Sequence, residues 1–375
     1  MPEALSPRYH CSYCAREGSG TDLQLCARCR AERYCSKECQ TRHWKVHKQN
    51  CRPSKERLYA IEPIEGKGQG MISKRKIPKG TRILSETAIF QIHRDAVGLP
   101  SPDADTLTAL ERLSDSQRRA FYALYNCHGE HISVVQGIIL TNNLSLGPNA
   151  PMVGIFLEAS RINHSCKSNA EGTWNNNLNQ FTVHARRDIK EGEEVCISYF
   201  GYLGGYAARQ EVLRVHLGFQ CGCDLCMLPP LERQRSDERL NEILTLDTRF
   251  QNRRSITERA IPRLHQTHRV LELLREDNPP GVSDTRISLM YYEAFQIAIA
   301  NSDQARAKVF AERAYEERLI LEGMDGSETM MFKSLAQNPS EYPLHGISMQ
   351  WMQGVSSIPR NKSESEFEAW LWMKS

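Results

Sequence analysis

Hydrophobic and polar positions change their period several times along this chain. Residues 72–90 alternate weakly: Ile72, Lys74 and Lys76 stand against Ser73, Arg75 and Ile77. A Pro78-Lys79-Gly80 turn follows, then an apolar return through Ile83, Leu84, Ala88, Ile89 and Phe90. That pattern predicts two strands about a turn. From Thr106 to Asn126 the spacing becomes helical, with Leu107, Leu110, Leu113, Phe121, Leu124 and Tyr125, and Ser114 as a cap between two short helices. Residues 133–157 return to an apolar, β-branched, strand-rich composition broken by Gly, Asn and Pro, so the helices read as an insertion at about 98–132. Trp174 and then Phe181, Val183 and Ala185 flank an Asn-rich turn and predict a hairpin. Val195, Ile197 and Tyr199 form a further strand, and residues 207–217 a helix.

From Leu231 onward the chain is helical, in segments 233–250, 256–275, 284–300 and 303–322. The last pair places Ala at close contacts and resembles one tetratricopeptide-like unit. A repeat array needs about three copies, so a helical bundle is the expectation. The tail carries Trp370 and Trp372 after a polar run. The whole reads as an α+β, multidomain chain in three parts: 1–52, 53–230 and 231–375.

Composition narrows the class. The chain has 375 residues and a net charge of +3, nearly balanced, which gives no case for a general nucleic-acid binder. No apolar run is long enough to span a membrane, and the first residues carry no signal-peptide core. A reducing compartment, cytoplasm and/or nucleus, is expected, with a monomeric protein. Thirteen cysteines in that setting argue for metal rather than disulfides.

The cysteines are patterned. Residues 11–51 read C-x2-C-x11-C-x2-C-x5-C-x3-C-x7-H-x3-C, through Cys11, Cys14, Cys26, Cys29, Cys35, Cys39, His47 and Cys51. Eight soft ligands make two tetrahedral zinc sites. So short a segment builds little core, and the metals supply folding free energy. A second array, Cys221, Cys223 and Cys226, is one ligand short of a site. Cys196 alternates with Val195 and Ile197 and reads as a small core residue, and Cys127 as structural. Cys166 follows a His in a Ser/Asn-rich bend and better suits a ligand.

That bend, Ser160-Arg161-Ile162-Asn163-His164-Ser165-Cys166, packs an amide, an imidazole and a thiol together. Ahead of it, Gly66, Gly68 and Gly70 let backbone approach a ligand closely, although no helix follows to make a dinucleotide fingerprint.

The first cysteine block resembles a MYND zinc finger at every ligand. RINHSCKSNA, GEEVCISY and CGCDLC, in this order after a G-x-G segment, resemble a SET domain with its post-SET zinc motif. Together the chain is similar to the SET-and-MYND class of protein lysine methyltransferases in a fungal-type order, closely over 11–226. The resemblance implies a finger at 1–52, a SET domain at 53–230 with its post-SET motif at about 217–230, and a helical region at 231–375. It implies a crossed metal pairing: Cys11, Cys14, Cys35 and Cys39 on one zinc, and Cys26, Cys29, His47 and Cys51 on another. A third zinc would take Cys166, Cys221, Cys223 and Cys226.

The same resemblance implies S-adenosylmethionine as cofactor, cradled by Lys67, Gly68, Gln69 and Gly70 and contacted by Asn163 and His164. Phe219 would cover its adenine, Asn142 would line its pocket, and Tyr199 would place a hydroxyl at the methyl-transfer centre. A protein substrate presenting a lysine follows, histone or non-histone, and a proline-rich peptide is the expected partner of the finger. Two positions depart from the pattern. The finger precedes Gly66 instead of interrupting the SET domain as in the animal branch. Leu217 stands where an aromatic often completes the lysine channel, with Tyr202 or Tyr206 as substitutes. The competing reading is a non-catalytic adaptor that uses the finger to bind proline-rich partners. Retention of Tyr199, Asn163 and the glycine segment favours the enzyme.

Overall fold

The computed structural model describes residues 9–14, 16–18, 22–28, 32–48, 51, 57–129, 132–201, 204–247 and 255–374. The chain divides into two compact units. The first comprises Met1–Lys76, Glu86–Asn163 and Lys190–Val195; the second comprises Ile77–Ser85, His164–Ile189 and Cys196–Ser375.

In the first unit, the buried core among the described residues of 11–51 is Cys11, Leu23, Cys26, Tyr34 and Cys51. Tight backbone turns shape it, with Cys11 N–H donating to Arg16 O at 2.9 Å and Cys26 N–H to Glu32 O at 2.8 Å. The helix Lys37–His47 starts at Ser36, whose hydroxyl accepts from the Cys39 amide, so the cap sets the position of a cysteine. The strands Tyr59–Ile64 and Gly68–Ser73 then form a hairpin, paired from Tyr59↔Ser73 to Ile64↔Gly68. Glu194 and Val195 pair with Ile72 and Met71 on its other side. A second sheet runs in the order Phe90–His93, Met152–Ile155, Leu144–Ser145. Phe90, Leu110, Phe121, Ile138 and Ile155 form the core between it and short helices.

Two expectations need correction here. The strand expected around Ile72–Ile77 begins at Gly68 and ends at Ser73. Beyond it, the Lys/Arg/Ser alternation lies on a bend, closed by Ser73 Oγ donating to Arg75 O. Part of the strand-rich stretch is a helix, Val134–Asn142, capped by Ser133 on the Gln136 amide. Gln136, Gly137, Ile138 and Ile139 are all buried, and burial on every side erases the period that separates helix from strand. Gly137 is required there, because a Cβ would lie 2.5 Å from the Asn126 side chain. The two helices read from periodicity are present as Ala104–Glu111 and Asp115–Tyr122, with Ser114 making a capping box with Gln117.

In the second unit, Ala170–Asn175 and Gln180–Ala185 pair in full register, with Arg82–Glu86 beside the latter. The Asn-rich turn closes itself: Asn175 Oδ1 accepts from the Asn177 and Leu178 amides, and Asn179 adopts φ 53°. The helices Pro230–Asp247, Ala260–Asp277, Thr285–Ala300, Gln304–Glu322 and Ser327–Gln337 form a bundle. Buried Ala294, Ala298, Ala307, Ala311 and Ala314 provide small side chains at its packed positions, and Phe295, Phe310 and Phe332 fill the space around them. The tail docks: Trp372 is fully buried, 4.3 Å from the His268 ring and 4.8 Å from Phe310. An ion pair joins the hairpin to the bundle, with Arg186 Nη2 2.9 Å from Asp284 Oδ2 and both side chains buried. Among the described residues, no helix is long and apolar enough to cross a membrane.

Candidate metal centres and active site

Among the described residues, three groups of cysteine and histidine side chains come together. Cys11, Cys14, Cys35 and Cys39 meet, as do Cys166, Cys221, Cys223 and Cys226, and Cys26, His47 and Cys51, with ligand atoms within 4.8 Å of one another in each group. Cys29, expected beside the last three, lies outside the described residues. The distances test the fit to zinc. Bonds of about 2.3 Å to tetrahedral sulfurs set neighbouring sulfurs roughly 3.8 Å apart. Cys166 Sγ lies 3.8 Å from Cys221 Sγ and 3.7 Å from Cys226 Sγ, and Cys26 Sγ lies 3.7 Å from Cys51 Sγ. The described cysteines of these clusters form no disulfide.

The third cluster is held from outside. The Gln210 side-chain amide donates to Cys221 O at 2.8 Å and accepts from the Cys221 amide at 2.9 Å, which fixes the start of the C-x-C-x2-C array. Its sulfurs also share protons unequally. The bond between Cys166 and Cys221 raises the Cys166 thiol and lowers that of Cys221, and Cys166 likewise brings Cys223 down to about 5.

Within the first unit, the glycine segment lies at the hairpin turn. Gly66 and Gly68 take φ 72° and 73°, backbone that L side chains rarely adopt. Gly70 serves a different end. A Cβ there would collide with Ile64 and lie 2.8 Å from Asn163 Nδ2, so glycine makes room for the asparagine. Asn163 Nδ2 donates to Gln69 O at 3.2 Å and to Glu194 Oε1 at 2.8 Å. Lys67 Nζ donates to Glu194 Oε2 at 2.7 Å. Lys67, Glu194, Asn163 and the Gln69 carbonyl thus form one polar chain. Asn142 is buried, and its amide donates to Tyr125 O and Ile138 O.

Within the second unit, His164 is buried, and its Nδ1 accepts from the Tyr199 backbone amide at 3.1 Å. Its ring lies 5.3 Å from that of Tyr199 and 6.2 Å from that of Phe219. Ser165 N–H donates to Ile197 O, which aligns the bend with the strand leading to Tyr199. Tyr199 itself remains 36% exposed. The chain reaches Phe219 through Gly218, in the left-handed region at φ 70°. Leu217 packs in the cluster with Leu213, Phe200, Tyr206 and Phe219. Tyr206 is half-buried, with the Arg233 guanidinium 4.4 Å from its ring. Tyr202 lies outside the described residues.

Comparison with known proteins places these features in a family. The MYND finger model matches residues 11–51 and the SET domain model matches residues 68–200. A histone-lysine N-methyltransferase, set5 of Schizosaccharomyces pombe (strain 972), is 31% identical over 330 residues, covering 85% of this chain and 95% of that protein. The chain belongs to the SET-and-MYND family of protein lysine methyltransferases. The N-lysine methyltransferase SMYD2 of Homo sapiens is 28% identical over 248 residues, 58% of this chain and 50% of that protein. ASHR1 of Arabidopsis thaliana, a histone-lysine N-methyltransferase, is 26% identical over 60% of this chain and 48% of its own length. The chain therefore spans nearly all of the fission-yeast relative and about half of the human and plant ones. In this SET-and-MYND protein two supporting residues escaped the sequence reading, Glu194 and Gln210. Glu194 lies inside GEEVCISY, but its partners Lys67 and Asn163 are 127 and 31 positions away. No local period signals such a pairing.

Proposed function

We propose that this chain transfers the methyl group of S-adenosylmethionine to a lysine side chain of a protein, histone or non-histone. The proposal takes Tyr199 as the residue at the methyl-transfer centre. Lys67, Gly68, Gln69, Asn163, His164 and Phe219 would hold the cofactor. The observation that carries it is the fixing of Tyr199: its amide is bound by a buried imidazole while its side chain stays open to solvent.

The cofactor, when bound, supplies an already activated methyl group, so the protein's task is chiefly positioning. An incoming lysine must first shed a proton, against a free pKa of about 10.4. A narrow apolar channel about the lysine would disfavour the ammonium and lower that value. The Tyr199 hydroxyl would orient the neutral amine as a hydrogen-bond partner, without acting as a strong base. Lys67 and Asn163, tied through Glu194, would keep the glycine segment in its ligand-ready shape. The finger would dock a proline-rich peptide, with exposed Trp44 and Tyr13 as its aromatic faces. Calorimetry with S-adenosylmethionine tests the enzyme reading. Micromolar binding by the wild type, lost in Asn163→Ala, is expected, and a wild-type protein that does not bind the cofactor would favour the adaptor.

A further inference from the structure

The two ring nitrogens of His164 are committed in opposite directions. Nδ1 lies 3.1 Å from the Tyr199 backbone nitrogen, which can only donate. Nδ1 therefore presents its lone pair, and in the neutral ring the proton resides on Nε2. Nε2 lies 3.3 Å from Cys166 Sγ. A nitrogen that carries a proton cannot ligate a metal, so His164 is not a fifth ligand of the cluster; it donates a hydrogen bond to one of the four sulfurs. The residue is 9% exposed, so water cannot easily replace either bond.

We infer that His164 is a positioning residue, whose imidazole couples metal occupancy at Cys166, Cys221, Cys223 and Cys226 to the placement of Tyr199. With metal bound, Cys166 Sγ is held in place as an acceptor for Nε2–H, which orients the ring. The oriented ring then holds the Tyr199 amide through Nδ1. Without metal, the Cys166 side chain is no longer pinned, the ring is free to turn, and the Tyr199 amide loses its bond to Nδ1. The zinc cluster would thus serve the reaction by fixing the backbone at Tyr199. The significance for catalysis rests on the reading of Tyr199 given above, but the link itself does not.

Two substitutions separate the two bonds. In His164→Asn, the side-chain oxygen reaches the Nδ1 position and keeps the Tyr199 bond, but nothing reaches Cys166. In His164→Gln, the amide nitrogen reaches Cys166, and the Tyr199 bond is lost. The readouts, taken on the purified full chain, are zinc release to a colorimetric chelator and hydrogen–deuterium exchange at the Tyr199 amide. His164→Asn is expected to release one zinc about tenfold faster or more while Tyr199 stays protected. His164→Gln is expected to lose that protection with zinc release within about twofold of wild type. Cys223→Ser, which disables the cluster while leaving His164 intact, should also deprotect Tyr199. The inference falls if both His164 variants change both readouts alike, or if Cys223→Ser leaves Tyr199 protected. Neither readout involves methyl transfer. A Tyr199→Phe protein with wild-type turnover would therefore overturn the catalytic reading while leaving this link standing.

Discussion

Asn163→Asp is a sharp probe of the polar chain, because it hardly changes volume but replaces a donor amide group with a charged oxygen that can only accept. Asn163 Nδ2 donates to the Gln69 carbonyl and to the Glu194 carboxylate. Losing the first bond costs about 1 kcal/mol and losing the second, charge-assisted one about 1.5–3 kcal/mol. The new carboxylate also faces Glu194 where a bond of 2.8 Å stood. Two like charges about 4 Å apart near a protein surface repel by at most about 4 kcal/mol. Lys67, 2.7 Å from Glu194, offsets part of this. The sum is a destabilisation of about 3–6 kcal/mol in the geometry that Gly68–Gly70 require. If cofactor binding must restore that geometry, affinity for S-adenosylmethionine falls at least about 100-fold. Urea unfolding and calorimetry at pH 8 measure the two effects. Asn163→Ala, which removes the bonds without adding repulsion, should fall between wild type and Asn163→Asp in both. Affinity within threefold of wild type for Asn163→Asp would refute the reasoning, since the polar chain would then be incidental.

Tyr199→Phe should lower turnover by about 100-fold or more with the unfolding midpoint unchanged; comparable turnover would remove the tyrosine from the methyl-transfer centre. Metal analysis should find three zinc ions per chain and two in Cys166→Ser; three in the variant would exclude Cys166 as a ligand. Asp284→Asn should cost about 3 kcal/mol at pH 7, because it takes the nearer counter-charge from the buried Arg186 guanidinium and leaves only Glu171 at 3.9 Å. Burial alone would raise the pKa of Asp284, but Arg286 and Arg186 outweigh it and hold the carboxyl well below its usual range. A depressed acid contributes stability above its unfolded pKa of about 3.9 and loses it as pH falls through the lower folded value. The gap between wild type and Asp284→Asn should thus persist to about pH 4 and close only below it, as urea unfolding across pH will show.

How much of this was legible in the sequence depends on the range of each signal. Cys11 to Cys51 were legible because metal ligands obey local spacing, and Ser114 because a cap acts within three residues. The hairpin around Asn175–Asn179 was legible from residues that bond their own turn. Val134–Asn142 was misread because burial on all sides leaves no amphipathic stripe. Glu194 was missed because its role exists only once Gly68–Ser73 pairs with the strand that carries it. The docking of Trp372 on His268 and Phe310 depends on a bundle assembled from helices over 100 residues of chain. The glycine segment shows the boundary well: the need for Gly at 70 is set by the close approach of Asn163, which no neighbour of Gly70 announces.

The division of the chain has a consequence for its synthesis. The backbone passes from one unit to the other five times, at 76/77, 85/86, 163/164, 189/190 and 195/196. Neither unit is a continuous fragment, so the first cannot be complete when its early residues leave the ribosome; it waits for Val195. Cys166 waits longer, since its partner Cys226 lies 60 positions downstream. At a translation rate of about 5–20 residues per second, that thiol spends roughly 3–12 s without its partner. The finger's ligands span only residues 11–51 and can close on metal early. Zinc would therefore enter this protein in a fixed order, with the cluster beside His164 last, and the tyrosine it steadies would be set only after about three-fifths of the chain has been made.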